Sequence, residues 1–176
     1  MQKTNIGFRY GLIAGLAMIV AYLGLFFFAP DLLFRRMGLL AFAILLVVMI
    51  GAGGSAKRQF GEEELLFREL VRPIFTVFVV SMMLVMLVHY IVYNFLDFNM
   101  EQITKEWFIG EAKRQMELAN QSPELVEKEL QILENGDYSY GIFKAMQTYV
   151  LSLVFGFLMA ASIAVGLMYA RLFGKR

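Results

Sequence analysis

The chain has 176 residues, 59% of them apolar and 18% charged, with a formal net charge of +1 and no cysteine; its mean hydropathy is +0.62. Soluble domains run about 45–50% apolar and about 25% charged. The composition therefore excludes a soluble globule, a secreted disulfide scaffold and a disordered chain.

The apolar excess falls into four stretches without Asp, Glu, Lys or Arg: Tyr10–Ala29, Met37–Ala56, Pro73–Leu96 and Ala145–Ala170, of 20, 20, 24 and 26 residues. At about 1.5 Å per residue each spans a hydrocarbon core of about 30 Å. None alternates in polarity as a transmembrane strand would. The expected fold is an all-α membrane protein, a single polytopic domain over residues 1–176, with spans at about 10–29, 37–56, 73–96 and 145–170.

The first span follows Lys3 and Arg9, as a signal peptide would. Its apolar run is longer than the usual 7–15 residues, and Phe26–Pro30 offers no small-x-small cleavage site. It reads as a retained helix. Gly7, Gly11 and Gly15 recur at four-residue steps, the spacing that lets helix backbones approach closely in lipid. Residues 30–36 read as a tight turn, with Arg35 and Arg36 snorkelling to lipid phosphates.

The second span is small-sided at Gly51, Ala52, Gly53 and Gly54. The connection that follows, 57–72, is short and charged. Its Glu62–Arg72 portion has a helical pattern in which Glu64 and Arg68, and Glu69 and Arg72, are spaced to pair. Glu62, Glu63 and Glu64 point around such a helix, which makes a solvated face rather than a metal site. Pro73 either starts the third span or kinks one longer helix.

The third span is large-sided, with only Ser81 small between Pro73 and Tyr90, and is expected to face lipid. His89, Tyr93 and Asn94 form its polar cluster, seven residues or fewer from the outer end. An interfacial set bonding headgroups or the neighbouring loop is the preferred reading over a ligand site. Met82, Met83 and Met86 read as filler rather than as a copper site.

Residues 97–144 are the one connection with room for structure. Asn99 and Ser122-Pro123 are capping signals, and Asn135-Gly136 is a stop. Two amphipathic helices at about 99–120 and 123–134 are expected to form an extramembrane hairpin. Its contact stripe comprises Trp107, Val126, Leu130 and Leu133, and Trp107 suits an interfacial anchor. The fourth span carries Ser152, Gly156, Ala160 and Ala164 on one face. The first and fourth spans are the expected tight pair, with homodimerisation as the other use of such faces.

Four crossings put both termini on one side, with nine basic and four acidic residues there against seven and eleven opposite. The basic side is cytoplasmic by the positive-inside rule. Phosphate-loop, dinucleotide, nucleophile-elbow, zincin and EF-hand motifs are absent, so no enzyme activity, cofactor or metal is expected. The near-neutral charge excludes nucleic acid as a partner.

The layout, with its turn Ala56-Lys57-Arg58-Gln59-Phe60-Gly61-Glu62, an acidic helical loop and a glycine-containing last span, resembles a bacterial domain-of-unknown-function family. Its members are four-helix integral membrane proteins, mostly of Gram-negative bacteria. The resemblance implies an inner-membrane location and brings no site residue with it. The expected role is an accessory or scaffold subunit acting through its periplasmic hairpin, with the lipid bilayer, a protein partner at the hairpin and a homo-oligomer as possible associations. A small oligomeric transporter or channel is the alternative.

Overall fold

The computed structural model describes residues 5–60, 66–96, 99–120 and 122–173. Among these the secondary structure is entirely helical. Helix α1 runs Ile6–Phe28, α2 Pro30–Phe60, α3 Phe67–Ile91, α4 Met100–Leu118, α5 Pro123–Glu134 and α6 Ile142–Phe173, with one π-helical turn at Val92–Leu96 continuing α3. Four segments are long and apolar enough to cross a membrane: Ile6–Phe28, Leu32–Gln59, Phe67–Leu96 and Ile142–Tyr169.

The helix ends follow from local chemistry. The Asn5 side chain accepts the Phe8 N–H at 3.4 Å, satisfying a donor that a helix start leaves free. Ala29 alone separates α1 from α2. Its N–H closes α1 onto the Leu25 carbonyl at 2.9 Å, and Pro30, which lacks an N–H, opens the next helix. Residues 30–36 are thus the first turns of α2 and not the tight turn that their charge and proline suggest.

At the start of α3 the Glu69 carboxylate accepts the Leu66 N–H at 3.2 Å, as the acidic member of a capping box does. That use replaces the expected pairing of Glu69 with Arg72. Glu62, Glu63 and Glu64 lie outside the described residues, and the Glu64–Arg68 pair with them. Pro73 sits inside α3 and does not begin it.

The chain divides into two compact units, residues 1–88 with 146–176, and residues 89–145. In the first, a core of Ala14, Met18, Leu45, Met49, Ala52, Leu70, Ile74, Val77, Phe78, Ala160 and Ala164 is contributed by α1, α2, α3 and α6. The third helix contributes the most side chains to it. Three glycines of α1 abut α3: a Cβ on Gly11 would lie 2.7 Å from the Val80 Cβ, and one on Gly15 2.7 Å from a Leu84 methyl. Gly7 likewise abuts Pro73 and Thr76. Gly156 of α6 lies beneath the Phe78 ring, with no room for a Cβ.

This corrects two expectations. Gly7, Gly11 and Gly15 of α1 and Gly156 of α6 pack against α3 rather than against one another. And α3 does not face lipid along its length, because Leu70, Val71, Ile74, Val77, Phe78 and Ser81 are buried. Without a hydrophobic drive between helices in lipid, association depends on such close fit. A large side chain supplies the knob and glycine the hole.

Few polar bonds complete the unit. The Tyr10 and Ser55 hydroxyls are 2.7 Å apart, Tyr149 donates to the Val79 carbonyl at 3.2 Å, and Lys57 reaches the Leu167 carbonyl at 3.5 Å. A Cβ on Gly53 of α2 would meet Leu167 at 2.5 Å and Ile74 at 2.9 Å, which makes Gly53 the point where α2, α3 and α6 converge.

Candidate functional site

The second unit carries the residues singled out as a polar cluster. The Tyr93 hydroxyl donates to the Tyr138 carbonyl at 2.6 Å and lies 3.3 Å from the Thr104 hydroxyl, which itself donates to the Met100 carbonyl at 2.7 Å. The Asn94 amide donates to the Tyr90 carbonyl at 2.9 Å and to the Tyr140 carbonyl at 3.0 Å. His89 stacks on the Tyr140 ring, with centroids 4.6 Å apart and planes 21° apart. It meets Tyr93 edge-on at 6.0 Å.

Tyr93 and Asn94 both lie in the π-helical turn. Such a turn contains one residue more than the α-helix it interrupts, so it re-aims the side chains beyond it. Here it coincides with two side-chain donors used on carbonyls 45 and 46 residues ahead. The cluster is thereby occupied in holding the non-helical segment between α5 and α6. That segment supports itself as well. Tyr138 donates to the Leu133 carbonyl at 2.9 Å, and its ring lies 5.9 Å from that of Phe108. Asp137 accepts the Ser139 hydroxyl at 2.6 Å and the Ser139 N–H at 3.0 Å. The Lys144 ammonium donates to the Asp137 carbonyl at 2.8 Å and lies 3.9 Å from its carboxylate.

Two groups of this segment are shifted. The Ser139 hydroxyl, then its N–H and then the Lys144 charge hold the Asp137 carboxyl below its ordinary value. Burial pushes the Tyr140 phenol up. Among the described residues no group of three His, Asp or Glu side chains is placed to hold a metal. Met82 packs on the apolar core of the first unit, while Met83 is exposed. The sequence located His89, Tyr93 and Asn94; it missed Tyr138 and Tyr140, whose backbone carbonyls no side-chain pattern signals.

The other feature of this unit is the α4–α5 pair. Met116 is the buried residue at its junction, and α5 contributes no fully buried residue. Neither predicted cap is made by its side chain: Asn99 and Ser122 form no capping bond. Asn120 instead adopts a left-handed conformation with φ 49°, which asparagine tolerates better than most residues, and this ends α4. Between the helices runs an open cleft of about 740 Å³ with Met116, Val126 and Leu130 in its walls and Lys113, Glu117, Glu127 and Glu134 along its edges. Leu133 and Ile132 line a second cleft of about 430 Å³ with Ala112 and Ala119. Val126, Leu130 and Leu133 are half-buried. Trp107 is elsewhere, half-buried and edge-on to Phe108 at 5.0 Å, so the expected stripe is divided.

In the first unit the packing residues are placed as follows. Gly7, Gly11 and Gly15 abut α3, and Gly156 abuts Phe78. Ala160 and Ala164 are fully buried in the core. The Ser152 hydroxyl is turned onto its own helix, donating to the Tyr149 carbonyl at 2.7 Å.

Residues 9–168 match a family described as a protein of unknown function, DUF4199. Comparisons with curated proteins and with solved structures each returned no match.

Proposed function

The chain belongs to the DUF4199 family of proteins of unknown function, and from that premise we propose that it is a non-enzymatic accessory or scaffold subunit of a bacterial inner membrane. Its four long apolar helices anchor it, both termini are cytoplasmic, and the α4–α5 pair is a periplasmic hairpin that docks a partner. The observation carrying this reading is a contrast between the two units. The first has an apolar interior in which the buried Ser81 donates within its own helix to the Val77 and Phe78 carbonyls. Ion-coupled transporters keep ionisable groups in the bundle, where they are costly and persist only for use. The second unit leaves an apolar-walled cleft open between two helices that cannot bury a core by themselves.

The same contrast weighs against a transporter or channel. A conducting protomer needs a polar path at the depth of Met18, Met49 and Val77, which are fully buried apolar side chains. The test is capture from native membranes of the intact chain and of a variant lacking residues 99–134. Loss of one discrete partner on deletion supports the docking role. Identical capture by both, together with solute flux in proteoliposomes of the purified protein, would replace it with the channel.

A further inference from the structure

We infer that the cleft between α4 and α5 takes a basic amphipathic helix of a partner protein, completing a three-helix bundle. The inference rests on the docking role proposed above and names the partner's chemistry. An open groove between two neighbouring helices of unequal length, α5 of 12 residues and α4 of 19, matches the mode in which a third helix lays its apolar face between two others. Met116, Val126 and Leu130 provide the apolar wall. Only Met116 of these is buried.

The edges select the occupant by charge. Glu117, Glu127 and Glu134 flank the cleft against the single Lys113. Among the described residues the ion pairs are Arg114–Glu111 and Lys144–Asp137, so none of the three flanking carboxylates is committed to a cation. Lys or Arg residues bordering the apolar face of an incoming helix would meet them. The hairpin as a whole, residues 99–134, carries eight acidic and four basic side chains. That excess opposes a second copy of the same hairpin, which brings like charge to the groove, and an anionic lipid surface for the same reason. Neutral apolar segments would fill the wall and leave the edges unused.

The experiment uses the full chain in nanodiscs of zwitterionic lipid, with empty nanodiscs as the baseline. Two fluorescent 14-residue helical peptides share a leucine face; one has lysine along both borders of that face and the other has glutamate. The lysine peptide should bind about tenfold more tightly than the glutamate peptide. Glu127→Gln with Glu134→Gln, both on exposed positions, should remove most of that preference and its salt dependence. Val126→Ser with Leu130→Ser should remove binding of both peptides. Equal binding of the two peptides, still lost in the serine variant, would overturn the basic partner while leaving a docking groove. Binding indifferent to the serine changes, or no binding at all, would overturn both. Self-association of the nanodisc protein that the serine variant lacks would assign the groove to a second copy and overturn the inference.

Discussion

The Tyr93 hydroxyl is 2.6 Å from the carbonyl of Tyr138, a bond across 45 residues of chain. With the Asn94 amide on the Tyr140 carbonyl at 3.0 Å, it fixes the segment that returns from α5 to α6. The polar residues near the end of the third span therefore hold chain to chain, and their donors are already used.

Removing either donor should loosen that segment alone. Tyr93→Phe deletes one hydrogen bond, worth about 1 kcal/mol net, and Asn94→Ala deletes two. Hydrogen exchange at residues 138–141 should accelerate several-fold in each variant and more in the double. Unchanged exchange would mean that these bonds are not what restrains the segment.

The packing of α1 and α6 on α3 is open to a cycle. Gly156→Ala puts a methyl against the Phe78 ring and should cost about 1–3 kcal/mol by overpacking, read as a lowered Tm in detergent. Phe78→Leu in the same chain should return part of the loss. Gly24→Ala, with open space around it, should be neutral or slightly stabilising. A Gly156→Ala variant as stable as the parent would contradict the α3–α6 contact.

The Asp137 carboxyl gives a pH dependence with a definite sign. Its folded value is depressed by Ser139 and Lys144, so its contribution is present above the ordinary aspartate value of about 3.9 and is lost as pH falls through the lower folded value. Protease resistance of residues 136–141 should be flat from pH 7 to about pH 4 and decline below it. Ser139→Ala removes the largest stabiliser of the carboxylate and should move the decline to higher pH. A decline at the same pH in parent and variant would refute the assignment.

Orientation is tested by reporters. One fused after Arg176 should be active only in the cytoplasm, and one inserted at Gln121 only in the periplasm; the reverse pattern would invert the proposed topology.

The sequence made the four long apolar helices and the α4 and α5 helices legible, because hydropathy blocks and a 3.6-residue period are local signals. What each small face packs against was not legible. Gly7, Gly11, Gly15 and Gly156 advertise holes, but what fills a hole is a property of the partner, and Val80, Leu84 and Phe78 look in sequence like residues meant for lipid. The charges at 30–36 suggested a turn, yet Pro30 suits a helix start better than a turn. For the candidate site, the side-chain half was visible in His89, Tyr93 and Asn94. The other half consists of the carbonyls of Tyr138 and Tyr140, met by donors in a π-helical turn that no composition marks. The left-handed conformation of Asn120 beyond the end of α4 is a backbone choice that hydropathy does not mark.

The most direct test of the account places a photo-crosslinking residue at Leu130, in the wall of the α4–α5 cleft, and another at Phe155, an exposed position on α6. In native membranes the docking role predicts one discrete protein adduct from position 130, competed by excess lysine-bordered helical peptide, and only lipid adducts from position 155. Lipid adducts alone from position 130, with a discrete protein adduct from position 155, would contradict it and move the interaction surface to the membrane-spanning helices.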